Sequence, residues 1–372
     1  MNNALKNAKA IRHYVEYLRN AKRRSESTIR AIERAIRSFE NATGEADFAR
    51  FDRHKAKRFT VWLEEEGLSG NGTSARQSYQ VLTHLRSFFH WLAFQSGYKS
   101  KVQPSDIDYL SLDKIKLQEV NSQQLVDWPS KEHVISLVNS IGQDDEIDRR
   151  DRALVSFLLL SGMRDMAVAS LPLGCFDPNK LEVQQFPEMG VETKNSKKFV
   201  SRLFEFDDHL VAILTIWVEY LKTDRKFSAS NPLFPRSRVT RDEMTSEFIS
   251  REVEPVFWKS AGPIRNILKF RSKNAGLQYY KPHAFRHAAS QLALRQCLSP
   301  EDIRAVSQNL GHENVGTTLT NYAKLTPERI QYVLGSINFK KTENHQFDEE
   351  FMRKLQLFAR VREKDIDNHD LR

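Results

Sequence analysis

Apolar positions recur at three- and four-residue steps through the first hundred residues, the spacing that gathers them on one face of a helix. Ile11, Tyr14, Val15 and Leu18 form one such stripe, and Ile29, Ile32, Ile36 and Phe39 form a second within Thr28–Phe39. A third helix is expected around His54–Glu66, closed by the glycine-rich turn GLSGNG. Thr73 or Ser74 can then accept from the free backbone N–H groups of a longer helix reaching about Phe94, which carries Val81, Leu85, Phe88, Phe89 and Leu92. Its aromatic stripe reads as core rather than as a platform for stacked bases. Four helices in this length make a compact all-α domain, residues 1–103. The periodicity then fades among Gly97, Pro104, Pro129 and several Ser and Asp residues, so 104–128 reads as a linker.

The pattern changes beyond Pro129. Ser130 can cap a helix carrying Val134, Leu137, Val138 and Ile141, and Arg149–Leu160 is so apolar in its second half that it must be buried. Short runs rich in β-branched or aromatic residues follow at Leu181–Phe186, Val191–Thr193 and Phe199–Phe206, and helical spacing returns after His209 with Leu210, Ile213, Leu214, Trp217 and Leu221. The fold class expected is therefore mainly α with a small β-sheet (α+β): an N-terminal helical domain, then a mixed domain over 129–340. In the tail, 341–372, Phe347, Phe351, Leu355, Phe358 and Val361 form a further stripe at helical spacing.

Composition narrows the partners. The net charge of +9 favours a polyanion. It is concentrated early, because residues 1–120 hold 21 Lys and Arg against 14 Asp and Glu. Arg30, Arg34 and Arg37 lie opposite the apolar face of the second helix, where they can grip phosphates or form an ordinary solvated face. Arg24, Arg30, Arg34, Arg76 and Arg86 are the residues expected to contact DNA. Cys175 and Cys297 have no metal-ligand spacing and fit a reducing compartment. No apolar h-region marks a secretory leader, and the longest apolar run, Ala153–Leu160, is too short for a bilayer, so a cytoplasmic protein is expected.

Candidate chemistry lies in three segments of the second domain. In SGMRDMAVASL, Arg164 directly follows a helix end at Ser161-Gly162. In PHAFRHAAS, His283 and Arg286 share a helix face. His283 and His287 have the spacing of a zinc-binding helix, but Ala284 stands where that motif needs its glutamate and no third ligand is evident. In LGHENVGTTLTNYAKL, His312 precedes Tyr322 by ten residues.

That ordered set, Arg, His-x-x-Arg, Leu-Gly-His and a downstream Tyr, resembles the tyrosine recombinases of the phage-integrase family over nearly the whole chain. The resemblance implies a helical core-binding domain followed by a catalytic domain. It also implies a site made of Arg164, His283, Arg286, His312 and the nucleophile Tyr322. The family adds a lysine on the turn of a β-hairpin. ETKNSKKFV fits this with Lys194, and Lys197 is the alternative. Two guanidinium groups and His312 would hold a phosphate, His283 would take the phenol proton, and the lysine would protonate the departing 5′-oxygen. No metal or other cofactor is expected, and no GxxxxGK[ST] appears for ATP. The implied partner is double-stranded DNA at a specific site, bound by a homotetramer; no membrane is expected.

Two departures accompany the resemblance. Ala167 occupies a position three after the first arginine where many members carry an acid, and 251–280 is longer than compact members need, basic and aromatic. The extra stretch fits a DNA contact or a packing insertion. A type IB topoisomerase-like relaxing enzyme and a non-catalytic DNA-binding protein are the competing functions. Six fillable site positions disfavour the second of these, and the absence of a long coiled linker before Tyr322 disfavours the first.

Overall fold

The protein is described from a computed structural model, which covers residues 3–65, 73–121, 127–241, 248–312, 314–316, 318, 331, 334 and 335. The chain forms two compact units, Met1–Leu125 and Val126–Arg372.

The first unit contains α1 (Asn3–Asn20), α2 (Glu26–Ala42), α3 (Arg53–Glu65) and α4 (Ala75–Ala93). Ser25 and Ser74 cap α2 and α4, accepting from the backbone N–H groups of Thr28 and Gln77. The apolar stripes meet in one core, where Phe51 stacks on Phe89 at 3.9 Å and Phe39 meets Phe89 edge-on at 5.1 Å. The aromatic stripe of α4 is thus core. Buried Asn7 closes the α2–α3 connection, donating to Ala46 O at 2.9 Å and accepting from Phe48 N at 3.1 Å.

The segment expected to be a linker is structured where it is described. It forms α5 (Pro104–Ile107) and α6 (Lys114–Asn121), and Ile107, Leu110 and Leu112 bury against the helical core. Elements this short complete too few turns to leave a periodic signature, although their few apolar residues suffice to dock them.

In the second unit the chain runs through α7 (Lys131–Ser140), α8 (Glu146–Ser161) and α9 (Asp165–Ala169). An antiparallel sheet in the order β1 (Phe176–Asp177), β2 (Glu182–Gln185) and β3 (Phe199–Arg202) follows. Next come α10 (Asp208–Thr223), the hairpin of β4 (Arg236–Arg241) and β5 (Phe248–Glu254), α11 (Gly262–Asn274), α12 (Pro282–Gln296) and α13 (Pro300–Asn309). The buried helix is α8, flanked by α7, α10 and α12. It begins three residues before the expected Arg149, capped by Asp145. Val191–Thr193 is not a strand: Pro187–Met189 makes a 3₁₀ turn, Gly190 takes φ 94°, and Val191 buries as an isolated core residue. β3 stops at Arg202, and β4–β5 was not expected.

The first half of α8 buries charge. Arg150 and Asp151 pair at 2.7 Å, and Arg271 of α11 reaches Asp151 at 2.8 Å and Asp148 at 2.6 Å. Arg150 also donates to Pro235 O and Ser237 Oγ. Glu146 accepts from the Tyr220 hydroxyl, Arg225 and the Val253 N–H. These bonds fasten β4, β5 and α11 to α8, so the long stretch before α12 is integral to the packing of this unit.

Removing Asp151 takes the carboxylate from buried Arg150 and leaves Arg271 with Asp148. Asp151→Ala is expected to lower the stability of the second unit by about 3–5 kcal/mol. Urea unfolding monitored on that unit's tryptophans reads this, and a loss below about 1 kcal/mol would show that the network is neutral.

Candidate active site

Two backbone corners and one helix build the site. α8 ends at Gly162 in the left-handed region, φ 57°. A Cβ there would stand 2.9 Å from Leu310 Cδ2 and 3.2 Å from Ala289 Cβ, so glycine alone lets the corner approach α12 and the end of α13. Arg164 follows two residues later as the N-cap of α9. The second corner is Gly311, φ 73°, whose Cβ would lie 2.5 Å from Phe199 Cζ. The glycine of Leu-Gly-His therefore seats His312 against the sheet.

α12 opens with Pro282 at its first turn, where a missing N–H costs nothing. His283 stands beside it at the solvent-facing end, and buried Arg286 lies one turn on. The Arg286 guanidinium donates to Gly162 O, Leu310 O and His312 Nε2, each at 2.7 Å. One side chain thus joins both corners.

His312 is buried, and its Nδ1 lies 2.8 Å from Thr318 Oγ1; Thr318 in turn donates to Ser307 Oγ at 2.8 Å. Burial, reinforced by Arg286, Arg164 and Lys197, pushes the His312 pKa down to about 3. His283 is held below its usual value by desolvation and by Arg286 and Arg164, with Asp165 opposing. Both imidazoles are neutral at pH 7. His287 meets His283 edge-on at 4.8 Å, stacks near Trp128 at 6.4 Å, and is pushed down to about 4, mainly by burial. Among the described residues no group of three His, Cys, Asp or Glu side chains is placed to hold a metal.

The two candidate hairpin lysines are placed differently. Lys194 is exposed on the turn, where Asn195 and Ser196 adopt φ 59° and 51°. The reversal brings Lys197 inward instead: its Nζ donates to Gly311 O at 3.3 Å, and it contributes to the field at His312. Local turn geometry, invisible to residue spacing, gives the two lysines these different surroundings.

Sequence reasoning missed three positioning groups. Asn309 exchanges bonds with the Arg202 backbone, accepting at 2.7 Å and donating at 2.8 Å, and so fixes the histidine corner to β3. Thr318 and Ser307 are the others, and such ordinary residue types carried no signal of their own. Beside Arg164, Asp165 pairs with Arg265 of α11 at 2.9 Å, while Ala167 is buried. Arg24, Arg30, Arg34, Arg76 and Arg86 are all exposed on the first unit, with Arg76 donating to Val120 O at 3.3 Å. Tyr322 and the apolar stripe of the tail lie outside the described residues.

The mixed unit thus gathers Arg, His and Lys side chains at one place. The model of the phage integrase family matches residues 130–329, and the N-terminal SAM-like domain of phage integrases matches 11–96. The chain belongs to the phage integrase family, the tyrosine recombinases, which are DNA strand-transferring enzymes. A tyrosine recombinase of Thermosipho africanus is 23% identical over 316 residues, covering 83% of this chain and 93% of that protein. Tyrosine recombinase XerD of Listeria monocytogenes is 25% identical over 318 residues, covering 83% and 91%. Among solved structures, the fold is shared with the Tn1549 transposon integrase in complex with circular intermediate DNA, with TM-score 0.54, 18% identity and 90% and 99% coverage. It is also shared with a lambda integrase dimer bound to a COC′ core site, with TM-score 0.58, 11% identity and 85% and 94% coverage. Among the described residues no helix is long and apolar enough to cross a membrane.

The lowered histidines fix the sign of one pH effect. The unfolded chain, with histidines near 6.5, binds more protons than the folded one down to the folded values of about 4 for His287 and about 3 for His312. Their contribution to stability is complete above about pH 6.5 and is lost progressively as pH falls toward those values. The second unit's urea midpoint is expected to drop between pH 7.5 and 5.5, above the carboxylate range, and to drop less in His312→Gln. An equal slope in both proteins would contradict this origin.

Proposed function

We propose that this chain is a site-specific recombinase that cleaves and rejoins double-stranded DNA through a 3′-phosphotyrosine intermediate. The observation that carries this reading is the convergence of Arg286, His312 and Lys197 at one corner, with Arg164 and His283 close enough to share its field.

On this reading a scissile phosphate sits against Arg164, Arg286 and His312, whose donors meet the charge that grows on its non-bridging oxygens during in-line attack. The Tyr322 oxygen forms a new bond to phosphorus while the bond to the 5′-oxygen breaks. His283, neutral at pH 7, accepts the phenol proton, without which a group of pKa about 10 attacks poorly. A hairpin lysine gives its proton to the departing 5′-oxygen, and Lys197 is the better placed in this arrangement. One phosphodiester is exchanged for another, so rejoining by a 5′-hydroxyl requires no nucleotide triphosphate. No metal enters the scheme.

We extend the reading to a homotetramer on a specific DNA site, serving the integration or excision of a mobile element. It is supported by family membership and by likeness to a transposon integrase solved with circular intermediate DNA. The exposed arginines of the first unit would hold the duplex backbone.

Incubation with nicked DNA carrying the candidate site, from which the cleaved fragment diffuses away, is expected to trap a covalent adduct with wild type and none with Tyr322→Phe. Absence of the adduct in wild type would overturn the reading, and persistence in Tyr322→Phe would reassign the nucleophile. Strand exchange between two sites, rather than relaxation of supercoils alone, separates recombination from topoisomerase activity.

The lysine has its own test. Lys197→Ala is expected to slow cleavage of ordinary DNA by about 10²-fold or more, the range of general-acid contributions. It should cleave DNA with a 5′-bridging sulfur at close to the wild-type rate, since that leaving group needs no proton. If Lys194→Ala alone behaves this way, Lys194 is the acid.

A further inference from the structure

The hydrogen bonds around His312 determine where its proton resides. A guanidinium can only donate, so Nε2, 2.7 Å from Arg286 Nη2, must accept. In the neutral ring the proton then sits on Nδ1 and points at Thr318 Oγ1, 2.8 Å away. The Thr318 hydroxyl accepts there and gives its own proton to Ser307 Oγ, also at 2.8 Å. Ser307, Thr318, His312 and Arg286 are all buried, so water does not stand in for these partners.

This arrangement is wrong for holding a phosphate. An imidazole that helps grip a phosphate oxygen must present N–H at Nε2, the nitrogen facing Arg286. The charged groups facing His312, Arg286 from α12, Arg164 at the start of α9 and Lys197 from the hairpin, all oppose a second proton on the ring. A ring that stays neutral must change tautomer to hold the anion, and Nδ1 must then become an acceptor. Thr318 has one hydroxyl proton, which can reach either Ser307 or Nδ1.

We propose that the Thr318 hydroxyl is a two-position switch that selects the tautomer of His312, with Ser307 as the acceptor that holds the resting state. When an anion draws the Arg286 guanidinium, Nε2 loses that donor; the ring gives its Nδ1 proton to solvent water and takes one from solvent water at Nε2, and Thr318 turns its own proton from Ser307 to Nδ1. The net proton count of the cluster is unchanged. Thr318 and Ser307 are positioning residues acting through His312, and the catalytic part of this inference rests on the function proposed above.

The test has two arms. In the full chain labelled with ¹⁵N-histidine at pH 7.5, without DNA, the His312 signals, assigned by their loss in His312→Gln, are expected to show a protonated Nδ1 and an unprotonated Nε2. Thr318→Val should convert them to a mixture, Thr318→Ser should restore them, and Ser307→Ala should raise the fraction with Nε2 protonated. A wild-type ring protonated on Nε2, or identical signals in all variants, overturns the proposal. In the second arm, Thr318→Val is expected to form the DNA adduct about tenfold more slowly, the effect of about one hydrogen bond, with DNA affinity within about twofold and recovery in Thr318→Ser. A wild-type cleavage rate in Thr318→Val also overturns it. If wild type forms no adduct, the recombinase reading fails while the ¹⁵N arm still decides the tautomer.

Discussion

Everything in the second unit that bears on chemistry depends on the buried guanidinium of Arg286. Its three short bonds, to two carbonyls and one imidazole, tie the end of α8, the end of α13 and the start of α12 into one corner. A buried cation is costly unless its donors are satisfied, and here backbone oxygens of two helix ends satisfy them. Those carbonyls belong to the orphan groups that every helix terminus leaves behind. The same contacts that stabilise the charge thus terminate two helices and orient His312. A lysine could not replace it, because only a planar fork reaches several acceptors in fixed directions at once.

Two glycines make this corner possible, for the same steric reason. At Gly162 and Gly311 the backbone is left-handed and a neighbour stands where a Cβ would be. The sequence shows both glycines as parts of short motifs, yet only the structure gives their purpose. One admits Leu310 and Ala289, the other admits the ring of Phe199. The histidine loop, the sheet and the central helix are consequently packed as one body, and Asn309 adds two hydrogen bonds to the same joint.

The long helices were legible because their burial is periodic: the stripes of Ile29–Phe39 and Val81–Leu92 are the very residues that fill the first core. Arg164, His283, Arg286 and His312 were legible because their order along the chain matches a known pattern, and the structure gathers them. What could not be read depends on elements too short or too local to leave a signature. The helices at 104–107 and 114–121, the β4–β5 hairpin and the two-residue strand β1 are of this kind. The different placements of Lys194 and Lys197 follow from two left-handed residues, Asn195 and Ser196, that no residue count reveals. Ser307 and Thr318 escaped notice because a hydroxyl acquires meaning only from what it touches.

The pairing of Asn309 with the backbone of Arg202 has an effect beyond the corner it secures. β3 is an edge strand, and its open row of N–H and C=O groups is the sort of border onto which another chain can add a strand. Asn309 occupies both groups of Arg202, and beyond the strand's end the N–H groups of Leu203 and Phe204 go to Leu181 O and Leu160 O. At Arg202 the border is closed by the protein's own amide. A strand from another chain is therefore refused at this end of the edge.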